Sequence, residues 1–466
     1  MTMNPTENTA MSPRILAAGH VVTMDDARRV IVDGAVAVEN GCILMVDTRA
    51  AVTARWPDAP VEYLPDALLM PGLINAHAHS GLLRGTAEHL PVWEWLTQHI
   101  NPMHRVLTAQ EAELASRVCY AEALLSGTTT VVDMWRFMDG SARAAEEMGL
   151  RAVLVPYVGA HPDYDYFDTL DDNEALIERW HGAANGRIDV WVGLEHPFYA
   201  DEVGMRRAVD MAIRHRTGFH THLSESELEP PEFVSRYGVR PVQAMEKLGV
   251  LDTPHVMFAH AVWLDESEIA LCARHDVAIA HNPVSNMKLA SGIASVEDML
   301  DAGLAVGLGT DGEKENNNLD MFEEMKTASL LAKLGRRNAA ALDSWKVLDM
   351  ATRLGARAVG HGHELGQLAP GFRADIIAVR TNTPRMTPLV GSGQWANLHH
   401  NLVHAAQGGD VCLTMVDGRV VARDGQVLTE DLPALLAQAN AVAPALFARR
   451  AQWLADNGAL TQWTNS

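Results

Sequence analysis

Seven side chains whose types suit metal or acid–base chemistry fall at the ends of apolar runs. His77 and His79 close "DALLMPGLINAHAH". His222 and Glu225 lie in "GFHTHLSESE", and His260 ends "HVMFAH". His281 follows "VAIA", and Asp311 sits in "LAVGLGTDG". Residues two apart on an extended strand project to one face, so His77 and His79 share a face. An H-x-H pair alone arises often by chance. "GHGHE", with His361 and His363, has the same spacing, and we expect that pair at the surface. Several runs that each deliver His or Asp to one place are more specific. Three imidazoles and one carboxylate are the donor set of a catalytic zinc or iron, with a position left for water. Such a metal lowers the pKa of its water toward about 7. Asp311 is placed to touch the metal and accept the water's proton, and Glu225 to pass a proton to a leaving group. His260 is placed to hydrogen-bond the attacking water or a developing oxyanion.

The elements that must position these groups alternate. Eight strand candidates, ending at "NAHAH", "TTTVVDM", "RAVLVPYV", "DVWVGLEH", "GFHTHLS", "HVMFAHA", "VAIAHN" and "LAVGLGTDG", are separated by helical stretches such as "TAQEAELASRVCYAEALLSG". This pattern predicts a (β/α)8 TIM barrel over residues 70–364, whose C-terminal strand ends carry the chemistry. Residues 14–69 and 365–466 are β-rich, with turn signals "ENG", "DGR" and "DGQ". They predict a small β-sandwich domain built from both termini with a C-terminal helix, after a loose tail over 1–13.

Composition narrows the function classes. The chain has 466 residues, is about half apolar and carries a net charge of −22, which disfavours a nucleic-acid partner. No uninterrupted apolar run reaches a membrane-spanning length, and the start lacks the apolar core of a leader. Cys42, Cys119, Cys272 and Cys412 lie far apart, so cysteine-ligated zinc and disulfides are not expected, and a reducing cytoplasm is.

The motifs already quoted, with "HNPVSNMKLASGIA", "GTDGEKENNNLDMFEEMK" and "GQLAPGFRADIIAV", resemble the amidohydrolase superfamily. The likeness is to its branch of S-adenosylhomocysteine and methylthioadenosine deaminases and triazine hydrolases. It implies a TIM barrel plus a terminal β-sandwich, and a homodimer or tetramer. It also implies that His77, His79, His222 and Asp311 bind one divalent metal, zinc first, with iron, manganese or cobalt also compatible. Glu225 and His260 would be the proton shuttle and its partner. Relatives with two metals bridge them through a strand 4 lysine. The first lysine here is Lys247, after strand 5, so a single metal is expected, with Glu195 the one carboxylate able to bridge a second.

The implied reaction is attack of a metal-held hydroxide on an sp2 carbon, deaminating a flat N-heterocyclic amine. Hydrolysis of another C–N, C–Cl or C–S bond, of the s-triazine, phenylurea or thiocarbamate type, is the alternative. A non-catalytic barrel protein is a second. Adenosine-type deaminases of this branch grip ribose with a glutamate and an arginine, and here His104 and Pro156 stand at the aligned positions. Substrate contacts are therefore expected from a lid in "EHLPVWEWL", through Glu88 and Trp93, and from His196, His281 and Glu315. Trp95, Trp263 and Phe198 would supply further aromatic surface. Glu313 and Lys314 are expected in a solvated loop, His89 and His99 at the surface, and His399, His400 and His404 in structural roles.

Overall fold

The computed structural model describes residues 13–86, 88–161 and 164–458. The tail expected over 1–13 lies outside them except for Pro13. Four strands open the chain: β1 (Arg14–Val22), β2 (Val30–Glu39), β3 (Cys42–Thr48) and β4 (Val61–Pro71). The barrel strands follow: β5 (Leu73–Ala78), β6 (Thr128–Trp135), β7 (Arg151–Pro156), β8 (Ile188–Val190), β9 (Val192–Gly193), β10 (Gly218–Leu223), β11 (His255–His260), β12 (Ala278–His281) and β13 (Val306–Leu308). The last strands are β14 (Ile376–Arg380), β15 (Val411–Val416), β16 (Arg419–Arg423) and β17 (Gln426–Val427).

The barrel strands are parallel, in the order β5-β6-β7-β8 and then β9-β10-β11-β12-β13. β8 and β9 are two pieces of the fourth barrel strand, parted at Trp191. Every residue of β5, β6, β7 and β10 is buried. Such strands read as unbroken apolar runs because helices cover one face and the barrel interior the other. The ring closes where β13 returns to β5. Asn75 Nδ2 donates to Thr310 Oγ1 at 2.7 Å, the Thr310 amide donates to Asn75 Oδ1 at 3.0 Å, and the Asp311 amide donates to the His77 carbonyl at 3.0 Å. The fold is thus a (β/α)8 TIM barrel.

The covering helices start where the sequence caps them. Thr108 and Glu111 form a reciprocal capping box ahead of the helix Ala109–Leu125, and Asp265 and Glu268 another ahead of Glu266–Arg274. Among the described residues, no helix is long and apolar enough to cross a membrane.

The remaining strands form one sheet in the order β17-β16-β15-β14-β4-β1-β2-β3. Its three tight hairpins fall at the expected turn signals. Asn40–Gly41, Asp417–Gly418 and Asp424–Gly425 all take positive φ, as two-residue turns with the native strand twist require. Ile43 and Val46 of β3 share a core with Leu413 and Met415 of β15, so the sheet curls into a sandwich around that core. Leu68 and Met70 of β4, with Ile377 and Val379 of β14, turn the other way and pack into the barrel core. The helix Leu432–Asn457, expected with the sandwich, lies along the barrel helices Asn101–Val106 and Ala109–Leu125. There Arg449 pairs with Glu111 at 2.6 Å.

Candidate metal centre and active site

His77, His79, His222 and Asp311 present donor atoms that all lie within 4.8 Å of one another, every one of them buried. β5 supplies His77 and the residue just past its end is His79, while the end of β10 supplies the third and the turn after β13 the aspartate. Hydrogen bonds fix which nitrogen of each ring faces inward. His79 Nδ1 donates to the Met134 carbonyl at 2.6 Å, and His222 Nδ1 to the Glu195 carbonyl at 2.5 Å. His77 Nδ1 lies 2.9 Å from His220 Nε2, and His220 Nδ1 lies 2.8 Å from the Met257 carbonyl. A carbonyl can only accept, so His220 carries its proton on Nδ1 and receives one from His77. All three rings therefore turn a bare Nε2 lone pair toward the centre.

Those lone pairs crowd. His79 Nε2 and His222 Nε2 are 3.1 Å apart, and among the described residues His77 Nε2 has no hydrogen-bond partner. Burial holds the His77 and His222 imidazoles well below the usual histidine range, so both are neutral. Asp311 adds a carboxylate to these three rings. Its Oδ1 sits 3.1 Å from His79 Nε2 and 3.4 Å from His77 Nε2, and Ser285 Oγ donates to Oδ2 at 2.6 Å. Neutral nitrogens and one anionic oxygen, aimed at a common point, fit a divalent cation of borderline softness.

Glu225 and His260 adjoin this cluster. Burial pushes the Glu225 carboxyl up to about 7, with the His260 ring opposing and the Asp311 charge assisting. Ser291 Oγ donates to Glu225 Oε1 at 3.0 Å, and Oε2 faces His260 Nε2 at 3.7 Å. His260 Nδ1 donates to Asn286 Oδ1 at 2.9 Å, and its Nε2 lies 3.8 Å from Asp311 Oδ2. Burial works against charge on His260, yet the two carboxylates outweigh it and raise its pKa. Ser224, His260 and Asp311 all hold positive φ, at 56°, 71° and 60°. Non-glycine residues adopt that conformation at a cost that the surroundings must offset, and such strain concentrates at functional sites.

A small, largely filled cavity opens from these groups, with about 20 Å³ of free volume. Trp93, Trp95 and Leu289 cover it, while Tyr157, Glu195, His196 and Glu315 complete the wall. Trp93 meets the His196 ring edge to face, with centroids 5.5 Å apart. Of the expected substrate contacts, Trp93, His196 and Glu315 thus reach the cavity, and Glu88 and His281 do not line it. Glu88 pairs with Lys288 at 3.1 Å on the outer side of the lid, and His281 is buried with its pKa lowered to about 3. Trp263 and Phe198 do not line it either. Trp263 Nε1 donates to the Ser291 carbonyl at 2.8 Å, behind the hydroxyl that holds Glu225. His104 is buried and stacks on Tyr157 at 4.7 Å.

Three expectations need correction. Glu313 and Lys314 do not form a solvated loop: both are buried, and Lys314 Nζ pairs with Glu315 Oε1 at 3.0 Å. The turn that begins at Asp311 runs into the barrel mouth, where the Leu83 amide donates to Glu313 Oε1 at 2.9 Å. His361 is not a surface residue, since it bridges Asp189 at 2.7 Å and Glu364 at 2.9 Å at the opposite end of the barrel. His99 is half-buried, whereas His89 and His363 are exposed. His399 stacks on Trp345 and His400 meets Ser344 Oγ at 2.9 Å. Glu195 is outside the donor group, and its carboxyl approaches the Nδ1 side of His222, at 3.9 Å, away from Nε2.

Two supporting residues escaped the sequence reading. His220 sets the His77 tautomer, and only the second "H-x-H" in "HTH" hinted at it. Glu229 is buried and accepts the backbone amides of Ser224, Glu225 and Ser226 at 2.6, 3.0 and 3.0 Å, fixing the turn that carries Glu225. Its signal was a glutamate four residues after Glu225, indistinguishable from a solvated helix start.

Comparison with known proteins agrees with this geometry. Residues 68–421 match the amidohydrolase family pattern. A 5-methylthioadenosine/S-adenosylhomocysteine deaminase of Syntrophomonas wolfei is 38% identical over 414 residues, covering 87% of this chain and 94% of that protein. An adenosine deaminase from Xanthomonas campestris, with bound zinc, superposes with a TM-score of 0.88 at 31% identity, over 94% of this chain and 99% of the other. An atrazine chlorohydrolase from Arthrobacter aurescens, complexed with zinc, shares the fold with a TM-score of 0.83 at 24% identity, over 92% of this chain and 100% of that one. With the His and Asp donors converging at the mouth of a TIM barrel, the chain belongs to the amidohydrolase family.

Proposed function

We propose that this hydrolase deaminates a flat N-heterocyclic amine, using one divalent cation, zinc, held by His77, His79, His222 and Asp311. When bound, the cation supplies the Lewis acidity that makes a water nucleophilic near neutral pH. Glu225 carries the reading. With Oε1 engaged by Ser291, its Oε2 is the atom free to hold a proton, and a carboxyl near 7 can both give and regain one. Glu225 thus protonates the ring nitrogen and later the departing amine. Asp311 Oδ2 accepts a proton, and His260 Nε2 donates a hydrogen bond to the oxygen that develops charge. Trp93, Trp95 and Leu289 exclude bulk water, and the aromatic walls suit a planar ring.

Kinship with adenine-nucleoside deaminases supports C–N hydrolysis over C–Cl or C–S cleavage. Zinc in the superposed adenosine deaminase supports zinc here. Four unpaired cysteines support a reducing, cytoplasmic setting. Exposed Leu330 and Leu334 on one helix, beside Ile293, offer an apolar face for a homo-oligomer, which light scattering would size.

Ammonia release should be measured from aminopyrimidines, pterins, aminotriazines and adenosine derivatives, with metal content on the same sample. We expect about one equivalent of zinc and ammonia from at least one class. Cleavage of ureas or thiocarbamates with no ammonia from any heterocycle refutes the deaminase reading. Two equivalents of metal, falling together in Glu195→Gln, refute the single cation.

A further inference from the structure

Two carboxyls in the cavity wall have no part in the proposed reaction. Glu195 follows β9 and Glu315 lies in the turn after Asp311, so they enter from the fourth and eighth barrel strands. Each is only 4% exposed. Each spends one oxygen on the protein: Tyr157 OH donates to Glu195 Oε1 at 3.3 Å, and Lys314 Nζ to Glu315 Oε1 at 3.0 Å. In both, Oε2 is buried without any hydrogen-bond partner among the described residues. Buried acceptors are almost always satisfied, because an unmade hydrogen bond forfeits the hydration given up on folding. Both residues line the same cavity as Glu225 and Asp311, which places four carboxyls around one small space. Tyr157 lies close to the pair, its phenol pushed well up by burial and by both carboxyls. The remaining walls are flat rings together with Val92, Leu96 and Leu289, and among the described residues neither an arginine nor a lysine lines the space.

We propose that Glu195 and Glu315 form a two-sided clamp that selects a compact, donor-rich substrate: a planar amino-heterocycle or amidine bearing N–H groups on two edges. This rests on the deaminase reading and specifies its substrate class. Each unpartnered Oε2 accepts one N–H, and the ring lies between the tryptophan lid and Tyr157. An amine-poor ring leaves an acceptor unmade, and a bulky 5′-substituted nucleoside presents hydroxyl and thioether edges to tightly closed walls. Burial raises both carboxyls, Glu195 well above the usual range, while Lys314 opposes it at Glu315, and an N–H facing each Oε2 favours the charged, accepting form.

The test compares zinc-replete wild type, Glu195→Gln and Glu315→Gln on 2,4-diaminopyrimidine and 4-aminopyrimidine. Ammonia kinetics are run beside calorimetric binding of guanidinium and melamine. Wild type should favour the diamino ring at least about tenfold in kcat/KM, since a site built around a hydrogen-bonding group rejects the analogue lacking it. Each Gln variant should erase that preference, raise KM more than it lowers kcat, and weaken melamine binding. Equal wild-type use of the two pyrimidines overturns the clamp, and this arm needs no variant to fold. Turnover confined to nucleosides, untouched in both Gln variants, overturns the clamp while leaving the deaminase reading intact. Donor-rich ligands that bind through both glutamates with no ammonia from any compound uphold the clamp and refute deamination.

Discussion

Two histidine pairs of identical spacing sit at opposite ends of one barrel and have opposite fates. At the mouth, His77 and His79 turn bare nitrogens toward a common centre, with no hydrogen-bond partner for His77 Nε2 among the described residues. At the floor, His361 is saturated: Asp189 takes one nitrogen and Glu364 the other, and Arg373 completes the chain to Glu364 at 2.9 Å. His363 beside it is exposed. The mouth keeps polar capacity unspent and holds strained backbone, while the floor spends everything on itself. Spacing says nothing about which pair does chemistry. What decides is whether the neighbours leave the nitrogens in need of something.

That contrast can be broken experimentally, beginning where it is sharpest. His77→Ala or Asp311→Asn should lower kcat/KM by about 10⁴-fold or more, with metal content falling on the same preparation. Retained turnover without metal would remove the distinction between the two ends. Glu225→Gln should keep its metal but lose about 10²- to 10⁴-fold in kcat, along with the ionisation near pH 7 in the pH–rate profile. A profile that keeps that ionisation would reassign the proton carrier. His220→Asn should weaken metal affinity about 10- to 100-fold in a chelator competition, because His77 loses the partner that fixes its tautomer. Unchanged affinity would make His220 mere packing.

The smallest effect belongs to the floor. Folded His361 titrates at about 9, against 6.5 when unfolded, through its Asp189 and Glu364 partners, which outweigh burial. Its contribution is therefore complete below about pH 6.5 and fades as pH rises through 9. Glu364, lowered to about 2, holds its share down to about pH 4.5 and loses it as pH falls further. His361→Gln should thus cost about 2 kcal/mol of stability at pH 6 and little at pH 10, with kcat unchanged. A cost independent of pH, read from urea melts, would show that packing rather than charge holds the floor together.

The architecture was legible because its signals are local and periodic. Buried parallel strands give unbroken apolar runs, and "ENG", "DGR" and "DGQ" fall on the three tight hairpins. Strand-end histidines were legible for the same reason. What escaped depends on contacts distant in sequence. Lys314 reads as a solvated lysine until Glu315 and the barrel mouth enclose it, and His361 reads as a surface histidine until Asp189 arrives from 172 residues away. The C-terminal helix was read with the sheet beside it in sequence, yet it finds Glu111 on the barrel through Arg449. Glu229 carries no motif, since its task is to receive three amides of a turn that the sequence does not describe.

The sheet's strand order also has a timing consequence. β4 pairs on one side with β1, made earlier, and on the other with β14, which the ribosome reaches some 300 residues later. At translation rates of roughly 5–20 residues per second, that side of β4 waits about 15–60 s for its partner while the barrel is synthesised. An open strand edge bearing Leu68, Leu69 and Met70 is a template for pairing with another chain. The seam therefore stays unfinished throughout synthesis of the barrel, the stage at which a holding chaperone should raise the yield of this protein.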